Sequence, residues 1–155
     1  MLTAKLCSDC SGAASRSACA SLQPPYFVNQ MIARSYQPNG LNCSVSSETD
    51  AGAPAVDCFA AASDSGDTIV LRCVNDQAEG VTAAVALAGG AAARSWSMDI
   101  STMQGRCPNL NNTPAFPRLV APVQQPRRIL TETGKANLDL PAFSFTVATM
   151  TYKVR

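Results

Sequence analysis

Apolar and polar residues alternate in short runs along most of this chain, and the last run changes phase. In LPAFSFTVATMTYKV, residues 140–154, Phe143, Phe145 and Val147 alternate with Ser144 and Thr146, the period of a half-buried strand. Beyond Ala148 the apolar set moves to Met150, Tyr152 and Val154. A strand that changes its buried face either carries a bulge or meets a second partner on its other side. Period two also governs what comes earlier. LNCSVSS sets Leu41, Cys43 and Val45 on one face, AVDCFAAAS follows, and Asp64-Ser65-Gly66-Asp67 turns the chain into TIVLRCVN. VTAAVALA groups Val81, Ala83, Val85 and Leu87, SWSMDI groups Trp96, Met98 and Ile100, and a short strand is predicted near Ile129–Leu130. Six to eight such strands, separated by Gly, Asn, Asp and Pro turns, predict an all-β fold. The expected architecture is an antiparallel, jelly-roll-like β-sandwich with Ile69, Leu71, Val85, Leu87, Trp96, Phe143 and Phe145 in its shared core.

One segment departs from period two. In PPYFVNQMIARSYQPNG the pairs Phe27–Met31 and Val28–Ile32 recur at helical spacing, behind prolines that are tolerated only at a helix start. The helix is expected to stop at Asn39-Gly40. At about three turns it is too short to persist alone and needs a surface to lie on. Residues 1–23 show neither period and are rich in Ser, Ala and Cys, as a disordered leader is.

Composition narrows the chemistry. A chain of 155 residues makes one ordinary domain, and only 15% of it is charged, with a net charge of +1. That balance offers no electrostatic case for nucleic acid or for a membrane surface. The uncharged stretch worth testing, between Glu79 and Arg94, is too short and too rich in Ala and Gly to span a bilayer. No signal peptide is visible at the N-terminus. The absence of His removes the commonest general base and the commonest zinc ligand, and no cofactor is implied.

Seven cysteines stand at 7, 10, 19, 43, 58, 73 and 107. Cys7-x-x-Cys10 with Cys19 is the start of a zinc pattern, but the next cysteine is distant, which favours the leader reading over a metal site. Cys73 shares a strand face with Ile69 and Leu71 and reads as a buried free thiol, while a Cys43–Cys58 bridge is possible.

The order of the motifs adds a resemblance. The helix PPYFVNQMIARSY, then IVLRCVN and VTAAVALAGG, then NNTPAFPRLVAPV, and last LPAFSFTVATM, follow one another as in the C-terminal end of α-L-arabinofuranosidases of glycoside hydrolase family 51. The residues that match are Pro24 to Met31, Val74–Asn75, Asn112 to Pro122 and Leu140 to Val147, and the resemblance covers roughly residues 24–155. It implies a remnant of the last (β/α)8 barrel helix at 24–38 and a C-terminal sandwich domain at 39–155, behind a non-homologous leader at 1–23. It also implies a retaining two-glutamate mechanism in the parent enzyme, acting on arabinan or arabinoxylan. Both catalytic glutamates belong to barrel strands that would precede Pro24. The glutamates present, Glu48, Glu79 and Glu132, lie in polar turns or connections, and none is assigned a catalytic role.

The reading is therefore an accessory domain, separated from its barrel by truncation, gene fission or an incomplete gene model, and inactive alone. The barrel is its expected partner, and arabinose-containing polysaccharide is reached through the parent. The alternative is a free-standing carbohydrate-binding or structural module, which would display several aromatic rings for stacking on sugars. Trp96, on an alternating apolar face, reads instead as core. Asn42-Cys43-Ser44 and Asn111-Asn112-Thr113 fit the N-glycosylation sequon, and the parent is expected to be extracellular. The leader generates a direct test. Limited proteolysis is expected to trim residues 1–23 before any other segment. Stoichiometric zinc on Cys7, Cys10 and Cys19, with resistance to cleavage, would contradict it.

Overall fold

The computed structural model describes residues 21–46, 56–89, 95–107, 109–130 and 135–152. The segment carrying Cys7, Cys10 and Cys19 lies outside them, as do Glu48 and Glu132. Helix α1 (Pro24–Arg34) is followed by β1 (Asn39–Leu41), β2 (Asp57–Ala62), β3 (Thr68–Asn75), β4 (Val81–Ala86), β5 (Trp96–Gln104), β6 (Val123–Gln124), β7 (Arg128–Leu130), β8 (Lys135–Leu140) and β9 (Ser144–Tyr152). The helix ends at Arg34, and Asn39-Gly40, expected as its stop, already belongs to β1. Two strands, β6 and β8, were not foreseen in the pattern.

All pairing is antiparallel. The larger sheet has seven strands in the order β1-β2-β3-β9-β5-β6, with β7 sharing the outer edge of β5 with β6. The smaller sheet is the two-stranded ribbon β4-β8. The sandwich is thus unequal, with a broad sheet under a narrow ribbon. The main core lies between the two. Trp96, Met98 and Ile100 of β5, Ile69, Leu71 and Cys73 of β3, and Ala148 and Met150 of β9 meet Leu138 and Leu140 of the ribbon. Each fully buried large side chain here contributes on the order of 1.5–3 kcal/mol of transfer free energy. Val85 and Leu87, expected inside this core, pack on its margin half-buried.

The opposite face of the broad sheet carries a second core. Phe27 and Met31 of α1 bury against Val70, Met103, Val120 and Val147, with Phe145 packed alongside. This explains the phase change of the closing strand. β9 pairs without interruption with β3 from Ser144 to Thr151 and with β5 from Ser144 to Tyr152, so no bulge occurs. Phe145 and Val147 face the helix, whereas Ala148 and Met150 face the ribbon. The second partner is part of this chain: α1 and the connection that carries Val120. Phe145 therefore belongs to the helix-side core and not to the shared one. Phe143, expected within the strand, sits just before it in a turn at φ 46°, left-handed for a residue with a side chain. Its amide donates to Gln77 O (3.1 Å) and its carbonyl accepts from Gly105 N (3.0 Å), which holds the turn between two connections.

Two buried asparagines tie the layers together. Asn75, at the end of β3, donates through Nδ2 to the carbonyls of Glu79 (2.8 Å), Leu140 (3.0 Å) and Pro141 (3.0 Å), and its Oδ1 accepts from Gln77 N (3.0 Å). One side chain thus joins the broad sheet to the end of β8 and to the entry into β4. Asn112 does the same for the long connection, donating to Leu22 O (2.7 Å) and Val120 O (2.9 Å) and accepting from Val120 N (2.7 Å). Gln23 Nε2 returns a bond to Asn112 O (3.0 Å), so the connection is latched to the start of α1. At the other end of the helix, Arg72 of β3 donates to Ser35 Oγ (3.1 Å), Ser35 O (2.5 Å) and Ile32 O (3.4 Å), placing a cation on the last carbonyls.

The cysteines correct the sequence reading. Cys73 is not a free thiol; it is bridged to Cys58, its direct cross-strand neighbour, at a Cα–Cα distance of 4.2 Å. Cys43, a possible partner of Cys58 in the sequence, keeps its thiol, as does the exposed Cys107.

Asn75 supplies the stability test. Asn75→Ala strips buried carbonyls and an amide of their partner, and is expected to cost about 2–3 kcal/mol. Urea unfolding should show the fall as a lower midpoint at unchanged slope, with exposed Asp76→Ala as the near-neutral control.

Candidate functional site

The surface offers two open clefts, and both lie along the connection that covers the helix-side core. The first, about 280 Å3, runs between α1 and the broad sheet and includes Gln30, Arg34, Asp99, Ser101, Arg118 and Thr149. Its position follows from the fold. α1 is short, so it covers only the half of β9 that carries Phe145 and Val147, and the polar half beyond is left open. The second, about 450 Å3, lies at the end of β5 and is lined by Thr102, Gln104, Arg118, Leu119, Val123 and Pro141 among others.

The described walls of both clefts are poor in carboxylates. The first holds one carboxylate, Asp99, and the second holds none. Asp99 is engaged by a two-pronged contact from Arg127, Nε to Oδ1 at 2.7 Å and Nη2 to Oδ2 at 2.8 Å. A two-carboxylate glycosidase needs a second acid about 5–5.5 Å away when it retains configuration, and this cleft has none in its wall. The glutamate described, Glu79, is exposed in the turn before β4, where its backbone carbonyl accepts from Asn75. Among the described residues no three His, Cys, Asp or Glu side chains cluster as metal ligands. No described helix is long and apolar enough to cross a membrane.

The other charged groups serve the architecture. Arg128 on β7 donates to Asp139 Oδ2 (2.8 Å) and to Asn137 O (2.6 Å) on β8, which bridges the two sheets at their rim. Arg128 first, and then the Thr82 hydroxyl at 3.0 Å, hold the Asp139 carboxyl below the usual carboxylate range. The hydroxyls of Ser65, Ser63 and Thr68 do the same for Asp67 in the β2–β3 turn. Lowered carboxyl pKa values are those of anions kept charged, the opposite of a proton-donating acid.

Trp96 is 1% exposed and stacks obliquely on Tyr152, so it presents no ring to a sugar. The exposed aromatics are spread over the surface: Tyr36 beyond α1, Phe59 on β2 and Phe116 in the long connection. Phe59 belongs to a small apolar patch at the C-terminal end of α1. It lies diagonal to exposed Val74, under the Arg72 guanidinium at 5.9 Å, and Arg72 in turn reaches Ile32 O and Ser35. Composition alone gave no sign of this patch, because its members are separated in the chain and meet only through the β2–β3 register. Asn42 and Asn111 are both exposed, while Asn112, the middle residue of the second sequon, is buried.

What these elements define is an unequal β-sandwich buttressed by one helix. That fold occurs in α-L-arabinofuranosidases. The chain is similar to the arabinofuranosidase of Thermotoga maritima solved with arabinose, at 18% identity and a TM-score of 0.72, over 88% of this chain and 30% of that one. It is similar to the family 51 enzyme of Thermotoga petrophila at 19% identity and a TM-score of 0.68, over 84% of this chain and 29% of that one. For AbfB of Bifidobacterium longum the identity is 24% and the TM-score 0.57, over 88% of this chain and 27% of that one. The chain therefore spans about 30% or less of the length of these solved structures. No protein-family model and no curated protein matches it. The resemblance drawn from the order of the motifs is matched by the fold.

Asp139 yields the electrostatic test. Because its folded pKa is lowered, the stabilisation is complete above the ordinary value of 3.8 and is lost as pH falls through the folded value. The stability gap between the wild type and Asp139→Asn should be small, since solvent screens the pair, and should close between neutral pH and pH ~2. Thermal melts across that range measure it.

Proposed function

We propose that this chain is the C-terminal accessory sandwich of a family 51 α-L-arabinofuranosidase. Its role is to pack against a catalytic (β/α)8 barrel lying outside these 155 residues. The observation that carries the reading is the joint pattern of the fold: it covers 84–88% of this chain but no more than 30% of each similar enzyme. In this reading residues 24–38 form the junction with the barrel and residues 39–155 the domain itself. The parent would release terminal arabinofuranosyl groups from arabinan or arabinoxylan, with two barrel glutamates as acid/base and nucleophile. The patch of Ile32, Phe59 and Val74 at the end of α1 is the apolar surface best placed to contact that barrel.

The compartment is part of the same proposal. A bridge between Cys58 and Cys73 favours an oxidising environment, and the exposed sequon residues Asn42 and Asn111 are open to glycan attachment. An extracellular parent satisfies both.

The chain purified as it stands is expected to hydrolyse neither an aryl arabinofuranoside nor arabinan. The cleft walls hold a single carboxylate, where the reaction needs two. Turnover that follows the protein through purification, and that falls on changing Glu48, Glu79 or Glu132 to Gln, would overturn the proposal.

A further inference from the structure

Three cysteines gather at one margin of the main core: Cys73 on β3, Cys58 on β2, and Cys43 two residues beyond the end of β1. β1 pairs with β2 in the register Asn39↔Ala62, Gly40↔Ala61, Leu41↔Ala60. That pairing ends at Leu41↔Ala60, and Cys43 and Cys58 each lie two residues beyond it and pack on the same core. β2 pairs with β3 so that Cys58 lies opposite Cys73. Cys58 is bridged to Cys73, and Cys43 keeps its thiol. All three meet one core: Cys73 belongs to it, and Cys43 and Cys58 pack against that same cluster.

We propose that Cys43, Cys58 and Cys73 form an internal thiol–disulfide exchange site, in which the bridge shifts between Cys58–Cys73 and Cys43–Cys58. The step balances within the chain. Cys43 loses its proton to solvent, and its Sγ thiolate attacks Cys58 Sγ. The Cys43–Cys58 bond forms as the Cys58–Cys73 bond breaks, and the electron pair leaves on Cys73 Sγ, which takes up a proton. One thiol is consumed and one appears, so no external oxidant or reductant is needed. The surroundings fit these roles. Cys43 is half-buried and within reach of water, whereas Cys73 is 1% exposed, in an apolar setting that suits a protonated thiol. The two bridges hold different things. Cys58–Cys73 staples the β2–β3 hairpin, while Cys43–Cys58 would clamp the short edge strand β1, and the segment that leads from α1, onto the sheet. The exchange would therefore set how firmly the helix end of the molecule is fastened.

The test is disulfide mapping of the full chain. Dilute protein is held at pH 8.5, quenched in acid and blocked with N-ethylmaleimide. It is then cleaved with pepsin at low pH and read by mass spectrometry. The expected result is two linked species, Cys43–Cys58 and Cys58–Cys73, with the label divided between Cys73 and Cys43. Cys43→Ser should leave Cys58–Cys73 alone, and Cys73→Ser should move the bridge fully to Cys43–Cys58. The wild-type map decides the matter even if Cys73→Ser fails to fold. A fully labelled Cys43 with no Cys43–Cys58 peptide would overturn the proposal. So would a bridge from Cys43 to Cys7, Cys10, Cys19 or Cys107 in place of Cys58.

Discussion

The structure depends on one strand being buried on both faces. β9 lies between β3 and β5 and pairs with both, and from Ser144 to Ala148 it is covered on both faces. A strand in that position needs a cover on each side. The ribbon β4-β8 provides one, and α1 with the long connection provides the other. Everything else follows from holding those two covers in place. The ribbon has only two strands and would slide without fixed ends, which is why Asn75 and Arg128 matter. They reach out of the broad sheet to β8, Asn75 at its end, Leu140, and Arg128 along it, at Asn137 and Asp139. The helix has little area of its own, and Asn112 and Arg72 grip its two ends in the same way.

Much of this was legible in the sequence because period two is a strong signal in buried antiparallel strands. TIVLRCVN became β3 residue for residue, and the phase change near Ala148 marked the strand with two covers. The distribution of the core was less legible. Alternation says which residues share a face and not which neighbour covers that face, so Phe145 was assigned to the wrong one of two cores. β8 escaped notice although Ala136, Leu138 and Leu140 alternate. They are separated by Asn and Asp, which are rare in strands, and the next residue is a proline. β6 has two residues and cannot be read by periodicity at all. The cysteine pairing failed for a similar reason. Sequence does not say which cysteine meets Cys58, and it is the β2–β3 register that puts Cys73 directly opposite it.

The residues that carried the family resemblance turn out to be those with the heaviest structural duty. Asn75 ends the motif Val74–Asn75, and Asn112 opens the motif Asn112 to Pro122. Leu140–Pro141 opens the last motif and supplies two of the carbonyls that Asn75 binds. A buried amide that satisfies several backbone groups at once is hard to replace, since any other side chain leaves some of them unpaired. Such positions can persist where overall identity has fallen to about a fifth, as it has between this chain and the enzymes of similar fold. They report on architecture and are silent about catalysis.

The place of β9 in the chain has a kinetic consequence. Of the described strands it comes latest in the sequence, yet it lies between two strands that come long before it. Until residues 144–152 leave the ribosome, β3 and β5 have no partner on their facing edges, and neither core can close. The contacts that complete the sheet join residues some 40 to 83 positions apart, a topology that folds slowly and only after synthesis of the whole segment. During that interval the β2–β3 hairpin presents Val70 and Leu71 beside an open edge. Self-association is most favoured at this stage, and it ends when β9 fills the gap.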